Sequence, residues 1–267
     1  MAWLISILTT LVLIYIGIAL VFYFFQDFFF FRPEKLPHNF QYKYAFPFEE
    51  VKFDMEDGGF INGVSFEVPN SLGVVFYLKG NSRSVKGWGK FAKDFVGKGY
   101  DFFMVDYRGF GKSKGRRTEQ ILYDDAQHIY NYLRKKYGED RIIVIGRSFG
   151  SGIAARVASW NQPKMLILDS PYYSFQKLVQ RWGFWLPLRW ILRYKIRLYQ
   201  FLQPIEFPVH IIHGDRDILI PYKHSVQLEM QYPDKVQLHT IKGGHHNDLP
   251  EFSQYHEKLY TLLTSQK

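Results

Sequence analysis

The sequence contains no cysteine, and residues 1–26 carry no charged side chain. The lack of cysteine excludes disulfide bonds, thiolate catalysis and cysteine-ligated zinc. With 47% hydrophobic residues among 267, the chain can build one large domain with a substantial core, so disorder is not expected. The formal net charge is +9, and the position of this charge along the chain decides what it implies.

The uncharged N-terminus predicts a transmembrane anchor. Residues 3–25 are almost wholly apolar and long enough to cross a hydrocarbon core of roughly 30 Å as a helix. Two aromatic runs, Phe22–Phe25 and Phe28–Phe31, resemble an interfacial belt, so we assign residues 1–31 to the anchor and its belt. A cleaved signal peptide is the alternative, but it requires a basic n-region and a small-residue cleavage site, which the segment lacks.

The first basic residues predict the orientation of the chain. Arg32, Lys35 and Lys43 all follow the apolar segment, and the positive-inside rule therefore places the remaining chain in the cytoplasm of a single-pass membrane protein. Residues 32–50 contain three prolines and predict an extended connector without catalytic residues.

Residues 51–267 alternate between apolar strand patterns and amphipathic helix patterns. An antiparallel hairpin is predicted over 51–55 and 61–68, and further strands over 73–78, 102–105, 141–145, 165–169, 208–213 and 235–241. Helices are predicted over 85–96, 118–137, 153–160, 222–231 and 251–264. This alternation predicts an α/β fold with a mainly parallel central sheet covered by helices on both faces.

A Gly-x-Ser-x-Gly motif stands between a strand pattern and a helix pattern. In Gly146-Arg147-Ser148-Phe149-Gly150, the serine is the candidate nucleophile at a sharp strand-to-helix turn. Gly146 and Gly150 let the strand and helix approach closely, and we expect the backbone N–H of Phe149 to donate to an oxyanion. An ordinary Gly-Ser turn is the alternative.

Acid and base candidates follow later strands. Asp215 and Asp217 come after the strand over 208–213, and His245 and His246 come after the last strand. The order Ser, Asp, His is the one used in α/β-hydrolase folds. Asp169, which also follows a strand, is a further candidate acid, and the sequence leaves the choice of base between the two histidines open.

Phosphate, metal and nucleic-acid sites are not predicted. The glycine-rich loop around Gly109 and Gly111 lacks the spacing of a P-loop or a dinucleotide fingerprint. His245, His246 and Asp248 have no second cluster with ligand spacing, and no nucleic-acid recognition motif accompanies the basic residues. We therefore expect no metal, no cofactor and no nucleic-acid partner.

From about Phe53 onward the chain resembles α/β-hydrolase-fold serine hydrolases, and it is similar to their membrane-anchored branch, which includes protein depalmitoylases and relatives of unassigned substrate. The match rests on five segments: 79–81, 106–113, 146–150, 213–217 and 246–248. The resemblance implies a membrane-anchored serine hydrolase that cleaves ester or thioester bonds. A peptidase-like amide hydrolase and a noncatalytic interaction protein on the same fold are the alternatives.

The resemblance also implies individual roles. Asp217 matches the family's triad acid and His246 its base, whereas His245 stands where the family usually has glycine. Lys79 replaces a usual histidine in the oxyanion loop; the second oxyanion donor is assigned to the backbone of Asn81, with Ser82 as the alternative.

A cap over the site is predicted at 171–205. This segment has no acidic residue and six basic ones, without which the net charge would be +3: Lys177, Arg181, Arg189, Arg193, Lys195 and Arg197. Interleaved tryptophans predict contact with anionic lipid headgroups, in addition to lipid contact through residues 1–31; a solvated cap packed on the domain is the alternative. We expect the cap to cover an apolar acyl pocket that favours long-chain substrates.

Overall fold

A computed structural model of the protein describes residues 1–264 and contains one eight-stranded sheet. The strands are β1 Glu49–Asp54, β2 Phe60–Phe66, β3 Val74–Leu78, β4 Asp101–Val105, β5 Ile142–Arg147, β6 Met165–Asp169, β7 Val209–Gly214 and β8 Val236–Ile241. Their order across the sheet is β1-β2-β4-β3-β5-β6-β7-β8. The pairs β1–β2 and β2–β4 are antiparallel, and every other neighbouring pair is parallel.

Ten α-helices lie within the described residues. They are α1 Ala2–Phe30, α2 Val85–Trp88, α3 Lys93–Val96, α4 Glu119–Tyr137, α5 Gly150–Trp160, α6 Phe175–Gly183, α7 Leu188–Ile191, α8 Leu198–Leu202, α9 Lys223–Gln231 and α10 Ser253–Thr264. Helices α6 to α8 lie within 171–205, the segment predicted to be a cap, and we refer to this segment as the cap. Strands β3 to β6 are fully buried, and two apolar clusters pack on the opposite faces of the sheet. The predicted fold class is therefore confirmed.

The predicted helix over 85–96 is interrupted in the structure. A 3₁₀ segment, Gly89–Ala92, separates α2 from α3. Gly87 and Gly89 lower the helix propensity of this stretch, and a side chain at Gly89 would overlap the ring of Tyr44, which packs there. Tertiary packing of the connector thus accounts for the break.

Helix α1 is long and apolar enough to cross a membrane, which is true of no other helix in residues 1–264. Its 29 residues extend over about 44 Å, and its backbone leaves helical geometry at Phe25. Directly after this kink the helix is fixed to the cap: buried Gln26 donates to the carbonyl of Ile191 at 2.7 Å and accepts from the N–H of Arg193 at 2.9 Å. Asp27 accepts from the Arg193 guanidinium at 2.6 Å and from the Tyr194 hydroxyl at 3.0 Å.

The connector lies against the domain rather than apart from it. The N–H of Arg32 donates to the carbonyl of Asn81 at 2.9 Å, and the N–H of Arg83 donates to the carbonyl of Arg32 at 2.9 Å. A second bridge joins Leu36 to the carbonyl of Gly111 at 2.9 Å. The chain that leaves α1 therefore runs directly along the loops at the carboxyl ends of the parallel strands, where ligand sites of this fold occur.

Candidate active site

Ser148 occupies the sharp turn between β5 and α5. Its φ of 53° lies in the left-handed region, which a residue with a side chain adopts at an energetic cost. The surroundings hold it there: its N–H donates to the carbonyl of Asp169 at 2.8 Å, and its carbonyl accepts from the Ser151 hydroxyl at 2.6 Å. The hydroxyl of Ser148 is thereby presented at the carboxyl edge of the sheet.

Two glycines make this turn sterically possible. A methyl group at Gly146 would overlap Ala154 on the first turns of α5, and one at Gly150 would overlap the carbonyl oxygens of Leu78 and Lys79. The helix therefore crosses the end of β3 at a distance that only glycine allows.

Gly150→Ala is expected to abolish probe labelling of Ser148 and to destabilise the fold by about 1–3 kcal/mol, because the methyl group meets backbone rather than a flexible side chain. Labelling by a fluorophosphonate and a denaturant melt measure the two effects. Gly97→Ala is the matched control, because its methyl group would make an ordinary contact of 3.5 Å with the Lys93 carbonyl. Unchanged labelling of Gly150→Ala would contradict this role of the glycine.

The structure brings His246, not His245, to Ser148. The Nε2 atom of His246 lies 2.9 Å from Oγ of Ser148, and its Nδ1 atom lies 2.7 Å from Oδ2 of Asp217. All three side chains are at least nine-tenths buried. His245 is exposed and its N–H donates to Asp248 at 2.6 Å, so its backbone contributes to the loop that presents His246.

Asp217 is surrounded by donors. Its Oδ1 atom accepts from the N–H groups of Leu219 and Ile220 at 2.9 and 2.8 Å, and its Oδ2 atom lies 3.1 Å from Nε2 of His213 in addition to the contact with His246. Burial opposes the charged form, but hydrogen bonds from the two histidines and the N–H of Ile220 outweigh it and lower the pKa of Asp217 well below its ordinary value. The carboxylate therefore stays ionised.

His213, four residues before the candidate acid, contacts Asp217 directly. Its Nε2 atom faces two acceptors, Oδ2 of Asp217 and the carbonyl of Ile220 at 3.0 Å, so this nitrogen carries the proton. Its Nδ1 atom lies 2.6 Å from the Ser225 hydroxyl, which can donate to it. His213 thus contacts the same carboxylate oxygen, Oδ2 of Asp217, that faces His246.

The other two candidate acids lie apart from the histidine. Oδ1 of Asp215 accepts from the N–H of Gly243 at 2.7 Å and joins two loops. Asp169 is buried, with its Oδ2 atom 3.5 Å from Nε of Arg147 and 3.0 Å from the Tyr255 hydroxyl. Both carboxylates have structural partners, and neither contacts His246 within the described part of the chain.

The loop after β3 brings Asn81 beside the nucleophile. In residues 1–264, the N–H groups of Asn81 and Phe149 donate to no backbone carbonyl, which leaves both available to a developing oxyanion. Ser82, the alternative, is paired with Arg32 in an isolated β-bridge, and its carbonyl accepts from the Trp88 ring nitrogen at 2.8 Å.

Lys79, the departure from the family pattern, is completely buried. Its Nζ atom lies 3.4 Å from Oδ1 of Asp106 and 3.9 Å from the centre of the Phe110 ring. Its carbonyl accepts from the Tyr107 hydroxyl at 2.7 Å. Burial lowers the pKa of Lys79 and raises that of Asp106, and each charge opposes the shift of the other. The buried Lys79–Asp106 pair thus lies at the start of the loop that carries Asn81.

Arg147, the residue before the nucleophile, was missed because the motif tolerates any residue there. Its guanidinium donates to the carbonyl of His246 at 3.1 Å and contacts Asp169. It also lies over the ring of Phe91, 5.4 Å from the ring centre. The arginine therefore joins the nucleophile turn to the histidine loop and acts as a positioning residue.

A cavity of about 290 Å³ lies over the serine. It is lined by Ser148, His246, Asn81 and Arg147, and also by Phe29 and Phe30 at the end of α1. The first 31 residues show no periodic apolar face, so the sequence did not indicate that the end of α1 lines this cavity. Within residues 1–264 no group of three or more His, Asp or Glu side chains is arranged to hold a metal ion.

The cap combines basic side chains with exposed aromatic rings. Three of the six basic side chains pair within the protein: Lys177 with Gln227, Arg181 with the carbonyl of Ile218, and Arg193 with Asp27. Four aromatic side chains of the cap are 47 to 81% exposed: Trp182, Phe184, Trp185 and Trp190. The cap thus presents an aromatic surface rather than a purely cationic one.

Comparison with known proteins identifies the family of this chain and supports its fold. The family model Hydrolase_4, described as "Serine aminopeptidase, S33", matches residues 69–204, just over half of the chain. The uncharacterized protein YfhR of Escherichia coli O157:H7 is 27% identical over 79% of this chain and 77% of its own length. Alpha/beta hydrolase domain-containing protein 17C of Xenopus tropicalis is 28% identical over 73% of this chain, but the match spans only 63% of the frog protein.

Among solved structures, the esterase PF2001 of Pyrococcus furiosus superposes with a TM-score of 0.70 at 22% identity, over 88% of this chain and 98% of the esterase. Est1E of Butyrivibrio proteoclasticus gives a TM-score of 0.66 at 19% identity, over 81% of this chain and 98% of Est1E. These likenesses show the α/β-hydrolase fold. Since the family model covers half of the chain, the protein belongs to the serine aminopeptidase S33 family of α/β hydrolases.

Proposed function

We propose that the protein is a membrane-anchored serine hydrolase that cleaves carboxylic ester or thioester bonds through an acyl-enzyme. The observation that carries this proposal is the unbroken hydrogen-bonded series from Oγ of Ser148 through His246 to Asp217, with contacts of 2.9 and 2.7 Å. A nucleophile within reach of a base that is itself oriented by an acid is the arrangement that activates serine.

The first half-reaction forms the acyl-enzyme. His246 accepts the Ser148 proton at Nε2 while Oγ bonds to the substrate carbonyl carbon. Asp217 keeps the proton on Nδ1 and stabilises the imidazolium, and its lowered pKa keeps it anionic throughout. The N–H groups of Phe149 and Asn81 donate to the oxyanion. The carbon–oxygen or carbon–sulfur bond then breaks as the imidazolium gives its proton to the leaving alcohol or thiol.

The second half-reaction releases the acyl group as a carboxylic acid. Water gives a proton to His246 and bonds to the acyl carbon, and the second tetrahedral intermediate then expels Ser148, which regains its proton from the imidazolium. Every proton passes through one imidazole nitrogen, and the reaction consumes one water. These steps use only side chains and backbone groups already in place around the turn.

Anchoring is part of the same proposal. Helix α1 is long enough to span a bilayer, and Arg32 and Lys35 follow it directly, which favours a cytoplasmic catalytic domain. The exposed tryptophans of the cap and its six basic side chains support a second contact with anionic lipid.

His246→Ala is expected to lower kcat for p-nitrophenyl butyrate and for a butyryl thioester by roughly 10⁴-fold or more, because Ser148 loses its base. His245→Ala is the matched control: it changes the adjacent imidazole, which is exposed, and should leave both rates unchanged. Steady-state kinetics in uncharged detergent micelles measure them.

The pair of variants separates three results. An equal loss of kcat in both variants would contradict the assignment of His246 as the base. Turnover of an aminoacyl amide but of neither ester nor thioester would favour peptidase chemistry, which the family description names. A folded wild-type protein without turnover of any of these substrates would favour the noncatalytic alternative.

A further inference from the structure

A second, larger cavity of about 610 Å³ lies between α1 and the cap helix α6. Helix α1 contributes Ile18, Val21 and Phe22 to one wall, and the cap contributes Leu178, Val179 and Leu186 to the other. Among the described residues that line this groove, Arg32 and Asn81 alone carry a charged or amide side chain. Its surface therefore suits a hydrocarbon chain and offers no row of partners for a peptide backbone.

The groove is continuous with the catalytic cavity. Five residues line both: Phe29, Phe30, Arg32, Asn81 and Leu219. The two polar residues of the groove belong to this shared part, next to Ser148. The polar end of a ligand is thus placed at the nucleophile and its apolar end between the two helices.

The groove extends to the depth of lipid chains. The Tyr15 hydroxyl donates to the carbonyl of Trp185 at 2.9 Å, so the tip of the cap lies beside the middle of α1. From Gln26 to Tyr15 the helix rises about 16 Å, roughly half the thickness of a hydrocarbon core. With α1 in a bilayer, the exposed rings of Trp182 and Phe184 lie among acyl chains.

The wall formed by α1 is fixed. Gln26 and Asp27 bind Ile191, Arg193 and Tyr194 on the cap, as described above. Phe30 packs edge-on against the ring of Phe175 at the start of α6, with 5.0 Å between the ring centres. The anchor is therefore a structural part of the catalytic domain.

We propose that α1 and the cap together form the acyl-chain site: the long acyl chain of a membrane-resident ester or thioester lies between α1 and α6 and enters sideways from one leaflet. This inference rests on the proposed function, because it places the scissile carbonyl at Ser148. It adds that the anchor itself forms one wall of the acyl-chain site, which makes α1 a determinant of chain-length selectivity.

Two substitutions in α1 test whether the groove selects substrates by the length of their acyl chain. Val21 lies about 14 Å and Ile18 about 18 Å along the helix from Phe30. Val21→Trp should lower kcat/KM for p-nitrophenyl palmitate by roughly tenfold or more and should also impair myristate, whereas Ile18→Trp should impair palmitate but spare myristate. The acetate rate of each variant is the reference for its chain-length profile and reports correct folding.

Leu20→Trp is the matched control on the same helix, since Leu20 is 51% exposed and does not line the groove. Wild-type protein should prefer palmitate to acetate in uncharged detergent micelles. Equal chain-length profiles for all four proteins, with ester turnover intact, would overturn the acyl site and leave the serine hydrolase standing. Absence of all ester turnover in folded wild type would contradict both.

Discussion

Ser148→Ala is expected to lower kcat by about 10⁶-fold and to abolish covalent labelling by a fluorophosphonate, because no other group can form the acyl-enzyme. The substitution removes one buried hydroxyl and leaves the turn, its glycines and the Asp169 contact unchanged. The thermal transition of the variant should therefore stay close to that of the wild type. Ester hydrolysis and gel fluorescence of the labelled, detergent-solubilised protein measure the two effects.

Ser159→Ala, in the helix α5 that follows the turn, provides the comparison. The Ser159 hydroxyl donates to the carbonyl of Arg156 at 2.7 Å rather than facing His246. This variant should label and turn over like the wild type. Labelling that persists in Ser148→Ala would place the reactive nucleophile elsewhere and would remove the basis of the proposed mechanism.

Lys79→Met is expected to lower the free energy of unfolding by about 3–5 kcal/mol, the scale for leaving one partner of a buried ion pair alone. Methionine fills a similar volume, so the cost arises from the Asp106 carboxylate, which has no exposure to water. Denaturant melts of the wild type and the variant in the same detergent measure the difference.

The loss should depend on pH in a defined direction. Burial raises the pKa of Asp106, and the Lys79 ammonium opposes that rise. Without the lysine the folded-state pKa lies still further above the unfolded value of about 3.9. A group with a raised folded pKa adds stability when protonated, and this contribution is lost as pH rises through that pKa. The loss of unfolding free energy in Lys79→Met should therefore be smaller at about pH 5 than at about pH 8.

A double variant separates charge from packing. Asp106→Asn in the Lys79→Met background removes the unpaired charge but keeps an oxygen that can accept from the N–H of Val85, which donates to Asp106 at 3.0 Å. We expect it to recover most of the lost stability. A double variant no more stable than Lys79→Met would show that shape, not charge, holds the oxyanion loop.

The fold and the members of the candidate triad could be predicted from the sequence because both depend on local patterns. A β-branched run, a Gly-x-Ser-x-Gly turn and an Ala-rich helix encode the elbow within twenty residues, and parallel strands bring their carboxyl ends to one edge. The fold class is confirmed, and Ser148, Asp217 and His246 lie in contact as expected. Their catalytic roles remain predictions for the experiments above.

The features that escaped the sequence arise from tertiary contacts. Helix α1 is apolar on every side, so no periodicity marks the face that lies against the cap. The roles of Gln26 and Asp27 depend on the carbonyl of Ile191 and on Arg193, which are over 160 residues away. Arg147 likewise acquires its role only when β5 and the histidine loop meet, 99 residues apart.

The backbone hydrogen bonds between Arg32 and the loop at Asn81 attach the end of α1 directly to the domain, without a flexible linker. With α1 in a bilayer, Ser148 would be held at a constant height relative to the membrane plane and could reach only bonds at that height. The search for substrate then takes place in two dimensions, where confinement raises the effective concentration of membrane-bound molecules over those in solution. A membrane-bound ester would therefore meet Ser148 more often than the same number of ester molecules dispersed in solution.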